Sequence, residues 1–219
     1  MPADKREVPL FKCRGWGDGY AMDEGTLEWT KSRLRRSIRE RLRAASDAEL
    51  AAVSAGLRVG LQTAAEAWRA PGTVALFGGL RGEPDLVLGL LPWLRTRGWR
   101  TVLFAVEGDH LRPADVLTPK DCRRGVHDVW EPAPGCRAVA PEALDVILVP
   151  GLAFGVADGS RLGRGGGFYD RFLATPGLRA RRIGVAGEWQ VLDRVPCEAH
   201  DVRVHELVTE AQHRILEPA

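Results

Sequence analysis

Residues 71–106 read PGTVALFGGLRGEPDLVLGLLPWLRTRGWRTVLFAV, and their pattern decides the fold class. Thr73–Phe77 is a short apolar run between Pro71-Gly72 and Gly78-Gly79, the form of a strand buried on both faces. Pro84 suits the first turn of a helix that carries Leu86, Leu90, Leu91 and Leu94. Gly98 ends that helix, and Thr101–Val106 is a second apolar run. Strand, helix and strand within about thirty-five residues form a βαβ unit, so a parallel sheet is expected.

Further strands follow toward the C-terminus. Asp145–Val149 is the clearest, closed by Pro150-Gly151, and Arg182–Ala186 and Glu206–Val208 come after it. A short helix, Tyr169–Ala174, lies between them. Toward the N-terminus a helix is expected over Lys31–Ala45, with Leu34, Ile38 and Leu42 on one face. Ser46-Asp47-Ala48-Glu49 fits a capping box, so a second helix starts there and carries Leu50, Val53, Leu57, Leu61 and Trp68. Glu107–Glu142 is rich in Pro, Gly and charge and yields no ordered reading. Residues 1–30 hold Gly15, Gly17 and Gly19 without a sustained period and read as a flexible N-terminal extension. Residues 31–219 contain no linker strong enough to divide them and read as one α/β domain.

Composition sets the class. Of 219 residues, 45% are hydrophobic and 27% charged, which is ordinary globular usage. With 31 Lys and Arg against 29 Asp and Glu the net charge is +2, too balanced to indicate nucleic acid or a membrane surface. The basic residues are uneven, however: Lys31–Arg43 holds seven of them against one acid, Glu40. That run reads as a solvated helix face, or as a pair, Lys31 and Arg35, able to reach one phosphate. Its apolar stripe would dock the helix, and no aromatics interleave with the charges, so nucleic-acid binding is not expected. The four cysteines have neither disulfide-scaffold nor zinc spacing and read as free thiols. No apolar run approaches the roughly 20 residues that span a bilayer, and a cytoplasmic location is expected.

Chemistry is concentrated in Gly159-Ser160-Arg161-Leu162-Gly163-Arg164-Gly165-Gly166-Gly167-Phe168-Tyr169-Asp170. Glycines at 163, 165, 166 and 167 remove side chains where the backbone turns sharply or meets a ligand closely. Successive N–H groups there can cradle an anion, and a helix beginning near Gly167 adds its positive end. Arg161 and Arg164 suit phosphate oxygens, and Asp170 suits Mg²⁺ bridging them. A turn serving only packing is the competing reading. No Lys follows the glycines, which excludes a Walker A loop, and Phe168 occupies the last position of a dinucleotide fingerprint. The rings of Phe168 and Tyr169 either stack on a planar ligand or fill the core. Glu83 reads most simply as a first-turn helix acid.

In order along the chain, these segments resemble the 5-formyltetrahydrofolate cyclo-ligases. The strongest match is Val149-Pro150-Gly151-Leu152-Ala153-Phe154 followed by Arg161-Leu162-Gly163-Arg164-Gly165-Gly166-Gly167-Phe168-Tyr169-Asp170. Lys31–Arg35 resembles the family's K-x-x-L-R, and Gly82-Glu83-Pro84-Asp85 its acidic helix start. Gln190, Pro196-Cys197-Glu198-Ala199-His200-Asp201 and Thr209-Glu210 are similar to its tail. The chain departs from the family at Gly155, where an aspartate is usual, at Gly166, where some relatives carry lysine, and at His205, where an acid is common. Phe104–Cys136 matches poorly except at Glu131-Pro132.

The resemblance implies a doubly wound, mostly parallel sheet with helices on both faces, of the kind shared with sugar-phosphate isomerases and CoA transferases. It implies a monomeric enzyme using ATP and Mg²⁺ to convert 5-formyltetrahydrofolate to 5,10-methenyltetrahydrofolate with release of ADP and phosphate. Lys31, Arg35, Arg161, Leu162, Gly163, Arg164, Gly165, Gly166, Gly167, Phe168 and Tyr169 would bind ATP, with Arg161 and Arg164 catalytic. Glu83 with Arg164, Gly165, Gly166, Gly167 and Phe168 would hold the folate, and Asp170 and Asp201 the metal. Two alternatives stand beside it: a paralogue that keeps the nucleotide site but takes another amide-like substrate, and a non-enzymatic nucleotide- or folate-binding protein.

Overall fold

A computed structural model describes residues 30–68, 71–125 and 128–216. Residues 1–29, most of the expected extension, lie outside the described residues, as does Cys13. Helix α1 (Lys31–Ala44) is capped by Thr30 and α2 (Asp47–Glu66) by the Ser46/Glu49 capping box. There follow β1 (Thr73–Leu76), α3 (Leu86–Gly89), α4 (Leu91–Thr96), β2 (Arg100–Glu107), β3 (His110–Asp115), β4 (Cys122–Arg124), β5 (Trp130–Pro132), β6 (Val146–Pro150), β7 (Ala153–Gly155), β8 (Arg161–Leu162), α5 (Phe168–Leu173), β9 (Arg181–Val185), β10 (Val191–Leu192), β11 (Glu206–Val208) and β12 (His213–Ile215).

The central sheet has the order β12-β11-β9-β6-β1-β2-β3. Its five inner strands are parallel and both edge strands run antiparallel. Alternation along each strand feeds two cores. Val74, Leu76 and Leu148 face Leu57 and Leu61 of α2 and Leu90 and Leu94 beside α3 and α4. Ala75, Ile147 and Val149 face the other way, toward Phe104 and toward Phe172 and Leu173 of α5. Helices therefore cover both faces of a mixed, largely parallel sheet, as the sequence pattern implies. A small sheet, β10-β7-β8, carries α1: Leu34, Ile38 and Leu42 pack on Leu152, Ala153 and Leu162.

The single helix expected after Pro84 is in fact two. Asp85 caps α3 by accepting from Leu88 N–H at 2.9 Å, and the chain re-starts at Leu90. Pro92 sits in the first turn of α4, where its missing N–H interrupts the ladder. Cys122, Cys136 and Cys197 are free thiols. Among the described residues no helix is long and apolar enough to cross a membrane.

Candidate active site

From β1 the chain winds through β2 to one side of the sheet, whereas β6, β9 and β11 lie on the other. The carboxyl ends of β1 and β6 thus flank a topological switch point, where open α/β sheets offer a crevice. A cavity of about 340 Å³ opens there, lined by Phe77, Gly78 and Pro150 from these strand ends and by Phe104, Trp130 and Phe168 from neighbouring elements. Its character is aromatic and apolar.

The loop after β8 forms its rim. Gly165 (φ 110°) and Gly167 (φ 68°) hold backbone conformations that side chains disfavour, and Gly167 leads directly into α5. Arginines grip the loop through its carbonyls. Arg35 Nε donates to Gly163 O at 2.9 Å, Arg39 to Arg164 O at 2.9 Å, and Arg171 to Gly166 O at 3.0 Å. Most of the basic run on α1 is a solvated face, with Arg33, Arg36 and Arg43 exposed, but Arg35 and Arg39 turn to the loop. Those two arginines hold the glycine loop against α1.

Behind the loop lies a second, polar cavity of about 660 Å³, lined by Lys31, Arg35, Gly165, Glu198 and Asp201 among others. The two cavities share one wall: Arg161, Gly163, Gly167 and Asp170 line both. Arg161 is buried in that wall, where it donates to Asp170 Oδ1 at 2.6 Å and to the Pro150 carbonyl at 3.2 Å. Asp170 also accepts from Val202 N–H at 3.4 Å, which draws the segment after Asp201 against α5.

Across the polar cavity Lys31 Nζ lies 2.6 Å from Asp201 and 3.1 Å from Glu198. Burial alone would raise the Asp201 carboxyl, but hydrogen bonds from Lys31 and from Glu198 N–H outweigh it and hold it below the usual carboxylate range. Burial would likewise lower Lys31, yet its two acidic partners leave it raised. Tyr169 is pushed well up, by burial first and by the nearby Glu83 charge, so its phenol stays protonated.

Lys31, Arg35, Arg161, Asp170 and Asp201, far apart in sequence, all line this polar cavity, as do Gly163, Gly165, Gly167 and Leu162, whose side chain is buried under α1. Glu83, Arg164, Gly166, Phe168 and Tyr169 line the apolar one. Glu83 is not a helix-dipole acid, because α3 begins only at Leu86 with Asp85 as its cap. Instead Glu83 accepts Leu80 N–H at 2.9 Å and both Nε and Nη2 of Arg164, at 3.0 and 2.7 Å. The Tyr169 ring packs edge-on against Phe104 and also lines the cavity. Sequence reasoning missed Phe77, Phe104, Trp130 and Glu131 as lining residues. Only the isolated Glu131-Pro132 pair signalled that stretch.

A protein-family model described as the 5-formyltetrahydrofolate cyclo-ligase family matches residues 28–210. The chain belongs to the 5-formyltetrahydrofolate cyclo-ligase family. A 5-formyltetrahydrofolate cyclo-ligase from Mycolicibacterium smegmatis is 33% identical over 181 residues, covering 80% of this chain and 87% of that one. The solved 5,10-methenyltetrahydrofolate synthetase of Aquifex aeolicus superposes with a TM-score of 0.74 at 33% identity, covering 86% of this chain and 94% of that chain. A second synthetase structure, from Mycoplasma pneumoniae, shares the fold with a TM-score of 0.68 at 22% identity, covering 83% of this chain and 99% of that one. For a cyclo-ligase family member, two adjoining chambers of opposite polarity are the feature that any account of the chemistry must use.

Proposed function

We propose that this chain cyclises 5-formyltetrahydrofolate to 5,10-methenyltetrahydrofolate with conversion of ATP to ADP and phosphate, holding the triphosphate in the polar cavity and the folate ring system in the apolar one. The observation that carries this reading is the wall that both chambers share, Arg161, Gly163, Gly167 and Asp170. A phosphoryl group in one chamber and a substrate oxygen in the other meet only there.

The chemistry needs position and charge rather than a side-chain nucleophile. The formyl oxygen attacks the γ-phosphorus in line, and its bond to ADP breaks. N10 then attacks the activated carbon, loses its proton, and phosphate departs with the former formyl oxygen. Lys31 and Arg35 face the triphosphate, and the N–H groups of the glycine loop face the oxygens on which charge builds up. Arg161 and Arg164 add positive charge at the wall and the rim. The aromatic lining of the other chamber keeps water from the activated intermediate.

The donor set fits Mg²⁺, which takes one or two carboxylates, keeps several waters and binds the remaining positions through phosphates. Asp170 and Asp201 line the same chamber, and each has one oxygen not engaged by its cationic partner. When bound there, the ion would neutralise phosphate charge. No cluster of three or more metal-ligating side chains exists among the described residues, so an all-protein metal cage is not part of the proposal.

One chain supplies both chambers, which fits a monomer acting on small molecules. The test is direct: purified protein with Mg-ATP and 5-formyltetrahydrofolate gives the near-ultraviolet absorbance of the methenyl product, and omission of either ATP or Mg²⁺ abolishes it. Tight ATP binding without product would move the reading to a paralogue with another substrate.

A further inference from the structure

The apolar cavity has five charged side chains in its lining, and four of them are paired with each other: Arg164 with Glu83, and Arg161 with Asp170. The fifth is Glu131. It is 5% exposed, and its Oε1 is buried with no hydrogen-bond partner among the described residues. An unpartnered carboxylate oxygen in apolar surroundings is costly to bury, so a fold retains one where something outside the chain completes it.

The backbone is shaped around this group. Strand β5 is fastened to the end of β1, with Trp130 N–H donating to Gly78 O at 3.1 Å. A Cβ at Gly78 would stand 2.1 Å from the Trp130 carbonyl oxygen, so only glycine permits that approach. A Cβ at Gly125 would stand 2.2 Å from the Glu131 carboxyl carbon, so a second glycine makes the room the carboxylate occupies. The backbone that carries the acceptor is thereby fixed at the switch point, while its carboxylate stays free to turn.

We propose that Glu131 is the specificity residue for the pyrimidine edge of the pterin, accepting hydrogen bonds from N3–H and the 2-amino group. This inference rests on the proposed function for the identity of the ligand. The 2-amino-4-oxo edge presents two parallel N–H donors, the same fork that guanidinium offers a carboxylate, and no other common edge of a folate does. The last torsion of a glutamate is broad, so the carboxylate turns at little cost to meet the fork. Glu131 lines the apolar chamber alone, not the polar one. Anchoring the pyrimidine edge there leaves the opposite, N5-bearing side of the ring to face the wall shared with the phosphate chamber.

The experiment measures equilibrium binding of 5-formyltetrahydrofolate, and of its 2-desamino analogue, by calorimetry. Wild-type protein, Glu131→Met and Glu131→Gln are compared, with ATP binding and thermal unfolding measured alongside. Glu131→Met removes both acceptors at similar size and weakens 5-formyltetrahydrofolate roughly 10- to 100-fold, as loss of charge-assisted bonds requires. Glu131→Gln, which keeps one acceptor, falls between. ATP affinity stays within about twofold for a contact confined to the other chamber. Glu131→Met also melts higher than wild type, because the orphaned charge is gone. The wild type loses a similar factor when the 2-amino group is removed from the ligand, and Glu131→Met loses little more.

Unchanged folate affinity in Glu131→Met overturns the inference, as does a variant that loses the same factor for both ligands. If the substituted proteins fail to fold, the wild type decides alone: equal affinity for the two ligands sinks the idea. Turnover with an unaffected Glu131→Met removes this inference and leaves the proposed function standing. Ligand-selective loss of binding without any turnover does the reverse.

Discussion

Lys31 Nζ lies 2.6 Å from Asp201 Oδ2, so the first residue of α1 is tied to the segment that follows β10. Both residues were expected at the site in different roles, one on the nucleotide and one on the metal. Each is the other's counter-ion, and Glu198 makes the group a triad with net negative charge. Binding Mg-ATP would therefore exchange one set of ion pairs for another, the ammonium turning to phosphate as the metal takes the carboxylate.

The first prediction concerns pH. Asp201 has a lowered folded-state value, so its contribution to stability is complete above the ordinary carboxylate range and fades as pH falls through that lowered value. Lys31 is raised above its ordinary 10.5, so its contribution is complete below 10.5 and fades as pH climbs through the raised value. Lys31→Met should cost about 1 kcal/mol at neutral pH, a figure limited by solvent screening. Urea unfolding at a series of pH values checks this. The wild-type and variant curves should converge in acid, and a gap that persists below the carboxylate range would mean that the pair does not carry the effect.

The second prediction concerns the shared wall. The Arg161 side chain is 3% exposed and that of Asp170 is 17% exposed, so each is largely withdrawn from water and relies on the other. Arg161→Met should destabilise the fold by about 3 kcal/mol, since it leaves a carboxylate facing a vacated site. Combining it with Asp170→Asn should recover part of that loss while leaving the protein inactive. Additive losses in the double variant would show that the two residues are not coupled.

How much of this was legible beforehand depends on how each element is buried. β1, β2, β6, β9 and β11 are parallel inner strands; the apolar runs of β1, β2 and β6 stand out from the flanking glycines and prolines, while β9 and β11, which open with Arg181-Arg182 and Glu206, show shorter ones. β3 gave no such signal. It is an edge strand with exposed His110 and half-buried Arg112, and it tolerates Pro113 opposite Phe104 because an edge needs fewer ladder bonds. β4 and β5 have three residues each, too few to show a period, and so Glu131 went unread as part of a cavity. At the site, the glycine loop and Asp170 could be named from one string, and Asp201 from the tail that follows. The partners could not: Lys31 with Asp201 and Arg164 with Glu83 are contacts between distant segments, and periodicity carries no information about them.

A third prediction separates the two chambers. Glu83 accepts two guanidinium nitrogens of Arg164 beside the apolar cavity and touches nothing in the polar one. Glu83→Gln weakens that grip and lets the rim move. It should lower kcat/KM for 5-formyltetrahydrofolate by roughly ten- to a hundredfold, in line with loss of a charge-assisted pair. ATP affinity should change by less than about twofold if the triphosphate occupies the polar cavity as proposed, since neither Glu83 nor Arg164 lines it. Steady-state kinetics with each substrate varied in turn provides the check, and an equal rise in both KM values would count against the division of labour.

The fourth prediction tests whether the glycine loop acts through its backbone. Gly165 has φ 110°, a region L-residues rarely enter, yet a Cβ there would meet only Arg35 atoms at 3.8 and 3.9 Å. Crowding is therefore not the obstacle, and backbone strain is. Gly165→Ala should keep the fold, at a cost of about 1–2 kcal/mol, because the loop can relax outward into the open chamber. Relaxation turns the N–H groups away from the position proposed for them around the triphosphate, so ATP should bind at least tenfold more weakly, by about 1.4 kcal/mol or more. Folate binding should fall less, since Gly165 lines only the polar chamber. Calorimetric titration of ATP and of 5-formyltetrahydrofolate into the same variant reads both numbers. If ATP affinity is retained while stability drops, the glycines serve the turn alone, and the phosphate must be held by the side chains of α1.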